Sequence, residues 1–171
     1  MERNPSLFPL VLKYALIIGL IAFIWGLIAY MTGWYLQNWV NYVSYAILIA
    51  GVILVIRNRR NQQLNGYITM NQALSTGCLF SVLYGILGVA GFLLTVKFIA
   101  PDMTEQILQA TEEQMIRRGL SDSEVETAME WTRKFMQPLW LSVTIIGFTL
   151  LFGGIVSFLA ALFLKRNPPE F

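Results

Sequence analysis

Residues able to do chemistry are few in this chain, and they do not converge. There is no histidine, which removes the commonest general base and transition-metal ligand at once. The one cysteine, Cys78, lies in an apolar stretch. A single thiol excludes an intramolecular disulfide, and with no acid or base beside it a small buried hydrophobe is a plainer role than a nucleophile. No glycine-rich phosphate loop, zinc knuckle, paired-cysteine motif or nucleophile triad can be traced. The chain is therefore not expected to be an enzyme or to carry a cofactor, and no residue is assigned a catalytic, cofactor-binding or metal-ligating role.

What remains is charge, and it is clustered. Arg57, Arg59 and Arg60 form the densest basic group. Beside a membrane span, such guanidinium groups suit anionic headgroups, so lipid-headgroup contact is one role for these three; marking the inner end of a span is the plainer one. So short a run beside two apolar segments makes a poor nucleic-acid site, and no nucleic-acid partner is expected. Residues 101–138 hold eight acids, from Asp102 to Glu130, against Arg117, Arg118, Arg133 and Lys134, a net charge of −4. The acids lack the compact spacing of a calcium loop, and on helix surfaces they serve solvation first.

These charges are positioned by long apolar segments. Residues 14–56, 61–96 and 135–164 contain no charged side chain. The chain is 56% hydrophobic and 13% charged, where soluble domains are roughly 45–50% and about 25%. Its 171 residues suffice for one domain and not for two of ordinary size, so residues 1–171 are read as a single membrane domain. Spans are expected at about 10–30, 39–56, 73–99 and 139–164, each able to cross a ~30 Å hydrocarbon core. Arg3 and Lys13 give the first segment a positive start. Its apolar run from Val11 to Tyr30 nevertheless exceeds the roughly 7–15 residues of a signal-peptide core, so it is read as a retained span. The fold class that follows is all-α, a polytopic bundle of four transmembrane helices.

Charge then orients the spans. Residues 31–38 are uncharged, whereas residues 57–72 carry three arginines and no acid. Arg3 and Lys13 flank the first span, and Lys165 and Arg166 follow the last. An even number of spans returns both termini to the side of the arginines, which the positive-inside rule makes cytoplasmic. Trp34, Tyr35, Trp39, Tyr42 and Trp140 then fall where interfacial aromatic residues belong. The acidic segment, about 101–138, lies outside and reads as a helical hairpin. Asp102 is expected to cap a helix from about Met103 to Arg118, and Gly119 to end it. Ser121 and Glu124 open a second helix as a capping box, reaching about Met136 before Pro138. Val125, Met129, Thr132 and Met136 recur at helical spacing. That stripe rests on the bilayer or the chain's own bundle, or else docks a partner.

Within the spans the clearest pattern is small. Ala15, Gly19, Ala22, Gly26, Ala29 and Gly33 alternate at spacings of four and three along the first segment. Such a face lets another backbone approach closely, as helix packing within the chain or as an oligomer interface. Gly77, Ser81 and Gly85 form a comparable face on the third segment, and Gly153 or Gly154, Ser157 and Ala161 on the fourth. No Asp, Glu, Arg or His sits near the middle of a span, where ion-coupled transporters often keep a charge.

Two stretches together resemble a known family. One is Ile56-Arg57-Asn58-Arg59-Arg60, continued by Asn65-Gly66-Tyr67-Ile68-Thr69-Met70-Asn71-Gln72-Ala73 and Gly77. The other is Pro101-Asp102-Met103 with Leu120-Ser121-Asp122-Ser123-Glu124. With the four-span layout, the chain resembles the domain of unknown function 4199 family over nearly its whole length. The resemblance implies a multi-pass protein of the bacterial inner (cytoplasmic) membrane with both termini inside, and it implies no chemistry. Asn65-Gly66-Tyr67 is expected to form the turn feeding the third span, with Gly66 at positive φ. The function expected is that of an accessory or structural membrane protein. It would touch membrane lipids and work through protein contacts, in a homo-oligomer or a membrane protein complex. A small-molecule or ion transporter or channel-like protein is the alternative.

Overall fold

The computed structural model describes residues 6–166; Arg3, one of the charges used to orient the chain, lies outside them. The described residues form six α-helices: α1 (Leu7–Met31), α2 (Asn38–Asn58), α3 (Met70–Leu94), α4 (Met103–Arg117), α5 (Asp122–Phe135) and α6 (Pro138–Leu164). The fold is all-α, as expected. π-helical turns extend α2 through Arg59–Gln63 and α3 through Thr95–Ile99. With these extensions α1, α2, α3 and α6 are long and apolar enough to cross a membrane. They also expose many large apolar side chains, among them Leu16, Leu20, Ile24, Leu151, Phe158 and Phe163. Soluble proteins rarely offer water so much contiguous apolar surface. Length and surface together mark a multi-pass membrane protein.

The helix ends follow local chemistry. Pro9 stands in the first turn of α1, where its missing N–H would have had no helical partner anyway. At the far end the Thr32 hydroxyl donates to the Ile28 carbonyl at 2.8 Å, and Gly33 turns the chain with φ +72°. α2 runs past the expected limit at residue 56, because Arg57 and Asn58 lie beyond the apolar stretch and still continue the helix. α3 begins three residues before the expected limit. There the Thr69 N–H donates to Gln72 Oε1 at 3.0 Å, and the Gln72 N–H donates back to the Thr69 hydroxyl at 3.4 Å. This reciprocal pair satisfies two donors that a helix start leaves open. α6 opens on Pro138, whose fixed φ suits a first helical position.

The chain divides into two compact units, one holding residues up to Gly88 with those from Ile146 onward, the other Val89–Ile145. In the first unit one core draws on all four long helices. Val11, Ala15 and Ile18 come from α1, Val52, Val55 and Ile56 from α2, Phe80 from α3, and Ala160 and Ala161 from α6. Lipid supplies no hydrophobic drive between helices, so such a core is held by dispersion contacts and depends on close fit.

The fit is closest where α3 and α6 meet antiparallel. A methyl group added at Gly77 would collide with Ser157 Oγ, one at Gly153 with Ser81 Oγ, and one at Gly85 with Thr149 Oγ1. Each hydroxyl-bearing residue therefore fills a notch left by a glycine opposite, at every fourth position along both helices. Buried hydroxyls need partners, and their own helices supply them. Ser81 Oγ donates to the Gly77 carbonyl at 2.8 Å, Ser157 Oγ to the Gly153 carbonyl at 2.5 Å, and Thr149 Oγ1 to the Ile146 carbonyl at 3.0 Å. Each serine is thus bonded to the glycine that receives the other. Gly51 makes a similar recess for the ring of Phe80.

In the second unit α4 and α5 pack on each other. Gly119, at φ +81°, ends α4. Its N–H donates to the Ile116 carbonyl at 2.9 Å and that of Leu120 to the Met115 carbonyl at 3.4 Å, the paired bonds of a Schellman turn. The expected capping box opens α5: the Glu124 carboxylate accepts from the Ser121 N–H at 2.8 Å and from the Ser121 hydroxyl at 2.7 Å. Asp102 differs from expectation. It precedes α4 but makes no side-chain capping bond, because its backbone is already helical (φ −82°, ψ −4°). A side chain caps best from an extended backbone.

Two outcomes follow from this packing and capping. Gly77→Ala and Gly153→Ala should each lower stability by about 1–3 kcal/mol in detergent-unfolding titrations, the usual cost of overpacking. Exchanging the pair as Gly77→Ser with Ser157→Gly should recover most of that loss. The two bonds from Ser121, hydroxyl first and then N–H, hold the Glu124 carboxyl below its usual range. A depressed carboxyl stabilises the fold above its unfolded pKa and loses that contribution as pH falls through the folded one. The protection factor of the Ser121 amide, its exchange rate relative to the intrinsic rate at the same pH, should therefore fall on acidification, and Glu124→Gln should abolish that fall.

Candidate functional site

The densest polar chemistry of the first unit lies where α2 turns into α3 and α6 ends. Guanidinium groups left at the edge of an apolar segment must find oxygen acceptors, and two of the three arginines find them within the chain. Arg59 Nη1 donates to the Gln72 carbonyl at 2.8 Å and to Thr76 Oγ1 at 2.5 Å. Its Nε is buried without a partner. Arg60 reaches the other way, Nη1 to the Leu164 carbonyl at 3.4 Å and Nε to Asn61 Oδ1 at 3.0 Å. A cation at the last carbonyls of α6 also complements the negative end of its dipole. Arg57, Lys165 and Arg166 remain exposed.

Backbone geometry draws these groups together. The π turn at Arg59–Gln63 leads into Asn65 (φ +50°) and Gly66 (φ +88°), so Gly66 takes the positive φ expected of it. The Gly66 N–H donates back to the Arg60 carbonyl at 2.8 Å and that of Tyr67 to the Leu64 carbonyl at 2.9 Å. Ile68, fully buried, then pairs with Arg166 through two backbone bonds of 2.9 and 3.0 Å. That clasp ties the residues after α6 to the turn before α3. It has no signature in side-chain spacing. The Thr69–Gln72 cap, by contrast, stands in the sequence as a Thr followed three residues later by Gln.

The other residues singled out by sequence fall in different places. Along α1, Ala15 and Ala29 are buried, Gly19 faces the Leu87 side chain, and Ala22 is half-buried. Gly26 is exposed with open space around it, and Gly33 lies beyond the helix, also exposed. Ala161 is fully buried on α6. On α5, Val125 and Met129 are buried, and Thr132 and Met136 are half-buried. Val125 and Met129 share a groove of about 380 Å³ with Glu112 and Ile116 of α4. The first half of that stripe therefore sits in the hairpin itself. Asp122, Glu126, Glu130 and Arg133 complete the groove's lining. Among the described residues no three His, Cys, Asp or Glu side chains come together as a metal site.

Chemically, the corner between α2, α3 and α6 is a set of donors, part spent on holding helix ends and part open to anions. Arg59→Met should cost about 1.5–3 kcal/mol in the same unfolding titration, the range for hydrogen bonds from a charged group. Arg57→Gln, which breaks no side-chain hydrogen bond among the described residues, should change it by less than about 0.5 kcal/mol.

No curated protein and no solved structure matches the chain. The family model described as "Protein of unknown function (DUF4199)" matches residues 13–166, which include all four long apolar helices except the first turns of α1. The chain therefore belongs to the DUF4199 family.

Proposed function

We propose that this protein is an accessory or structural component of the bacterial inner membrane, with both termini cytoplasmic, acting through helix contacts and not through catalysis. The observation that carries the reading is the α3–α6 seam. Glycine notches that another protein could use for a substrate path are filled by Ser81, Ser157 and Thr149, and the hydroxyls of these residues are bonded to their own backbone. A seam so occupied suits a fixed scaffold better than the transport alternative, which needs polar groups left free for cargo. On α1, Gly26 is exposed with open space around it, a gap suited to close approach by a helix from another copy or from a membrane complex. Arg57, Lys165 and Arg166 are exposed at the basic corner, and in this reading they meet anionic headgroups of the inner leaflet.

Two measurements test this proposal. Topology reporters within residues 57–72 and 105–135 should report opposite sides of the membrane; the same side for both would contradict four crossings. In a Cys78→Ala background, Gly26→Cys should form an inter-chain crosslink in native membranes, to a second copy or to a consistent partner. A solitary monomer under those conditions would sink the accessory role.

A further inference from the structure

We infer that the C-terminal end of α5 is a membrane-interface anchor, which inserts an aromatic ladder among phospholipid headgroups and so holds the acidic hairpin at the bilayer. The ladder is made of three rings. Trp131 stacks on Phe135 with centroids 6.3 Å apart, and Phe135 meets Trp140 edge-on, also at 6.3 Å. The first two belong to α5 and the third to the opening turn of α6. All three are exposed, Trp131 by 55% and Phe135 by 47%, and Leu139 beside them is 73% exposed. On a helix read as extramembrane and acidic, two large exposed rings four residues apart call for an explanation.

Continuity with the span supplies the occupant. α6 is apolar enough to cross a membrane from Pro138 onward, so Trp140 and Leu139 stand at the boundary. Only Met136 and Gln137 separate Phe135 from that helix. The ladder thus carries the apolar surface of a span onto the last turn of α5. Charge points the same way. The acids Asp122, Glu124, Glu126 and Glu130 precede the rings along α5, while Arg133 and Lys134 lie in its last turn. Lys134 Nζ sits 5.1 Å from the Trp131 centroid, a cation over an aromatic face. The combination of an amphipathic ring with an adjacent ammonium suits the headgroup layer, where phosphates meet acyl chains. Where α3 passes into the same unit the pairing recurs, with Lys97 Nζ 5.4 Å from the centroid of exposed Phe98. A bilayer accounts for both pairs, whereas a protein partner would have to be invoked twice.

The inference rests on α6 crossing the bilayer, and the test reports that separately. The full chain is reconstituted into phospholipid vesicles with the photoreactive p-benzoyl-phenylalanine in place of Trp131, Phe135, Val143 or Ser123, one position at a time. Val143, exposed on α6, is the span control, and Ser123, at the acidic start of α5, the distal one. After irradiation, mass spectrometry should find phospholipid adducts at positions 131, 135 and 143, severalfold above position 123. Lipid adducts at 143 without them at 131 and 135 would overturn the anchor and leave the span standing. Adducts at 131 and 135 to a second copy or another protein would overturn it in favour of a protein interface. No lipid at 143 would overturn the span and the anchor together.

Discussion

Helices in lipid gain nothing by hiding apolar surface from one another, because the acyl chains are apolar too. What remains is contact, and contact falls off steeply with distance. The rest of this structure depends on how that constraint is met between α3 and α6. Two glycines and two serines interlock there, each serine filling the opposite notch and returning its hydroxyl to its own helix. The arrangement admits close backbone approach without leaving a polar group unmet in the apolar interior. α2 adds the Gly51 recess for Phe80, and α1 adds Val11, Ala15 and Ile18.

The same need to satisfy polar groups shapes the ends of the helices. Where α2 leaves the apolar region, Arg59 and Arg60 turn to oxygen acceptors on α3 and at the end of α6 instead of standing free. The Ile68–Arg166 clasp closes that corner through backbone alone. A fold whose interior is all contact concentrates its charge at such corners.

Much of this architecture could be read in sequence, and what could be read was local. Four apolar runs, Gly119 as a stop, and the Ser121–Glu124 box each depend on neighbours within a turn or two. Gly77, Ser81, Gly85, Gly153 and Ser157 could be named as small faces. Their register could not, because which glycine meets which serine is set by two helices some seventy residues apart in the chain. Arg59 illustrates the same limit. As one of three arginines after a span it suggested lipid contact, and its inward turn depends on Thr76 across the next turn of chain. The aromatic ladder has no single-helix signature: its rings belong to two helices, so neither helical pattern alone contains it.

Accessibility of the α3–α6 seam to water tests the central claim most directly. In a Cys78→Ala background, Ser81→Cys and Ser157→Cys place thiols of nearly the original shape in the seam, and a membrane-impermeant maleimide is offered from each side of native membranes. A seam built for contact predicts that both thiols stay unlabelled from either side, and react only after detergent unfolding. Labelling of either thiol in the folded protein would mean that water reaches the seam, and the account of a closed scaffold would be wrong.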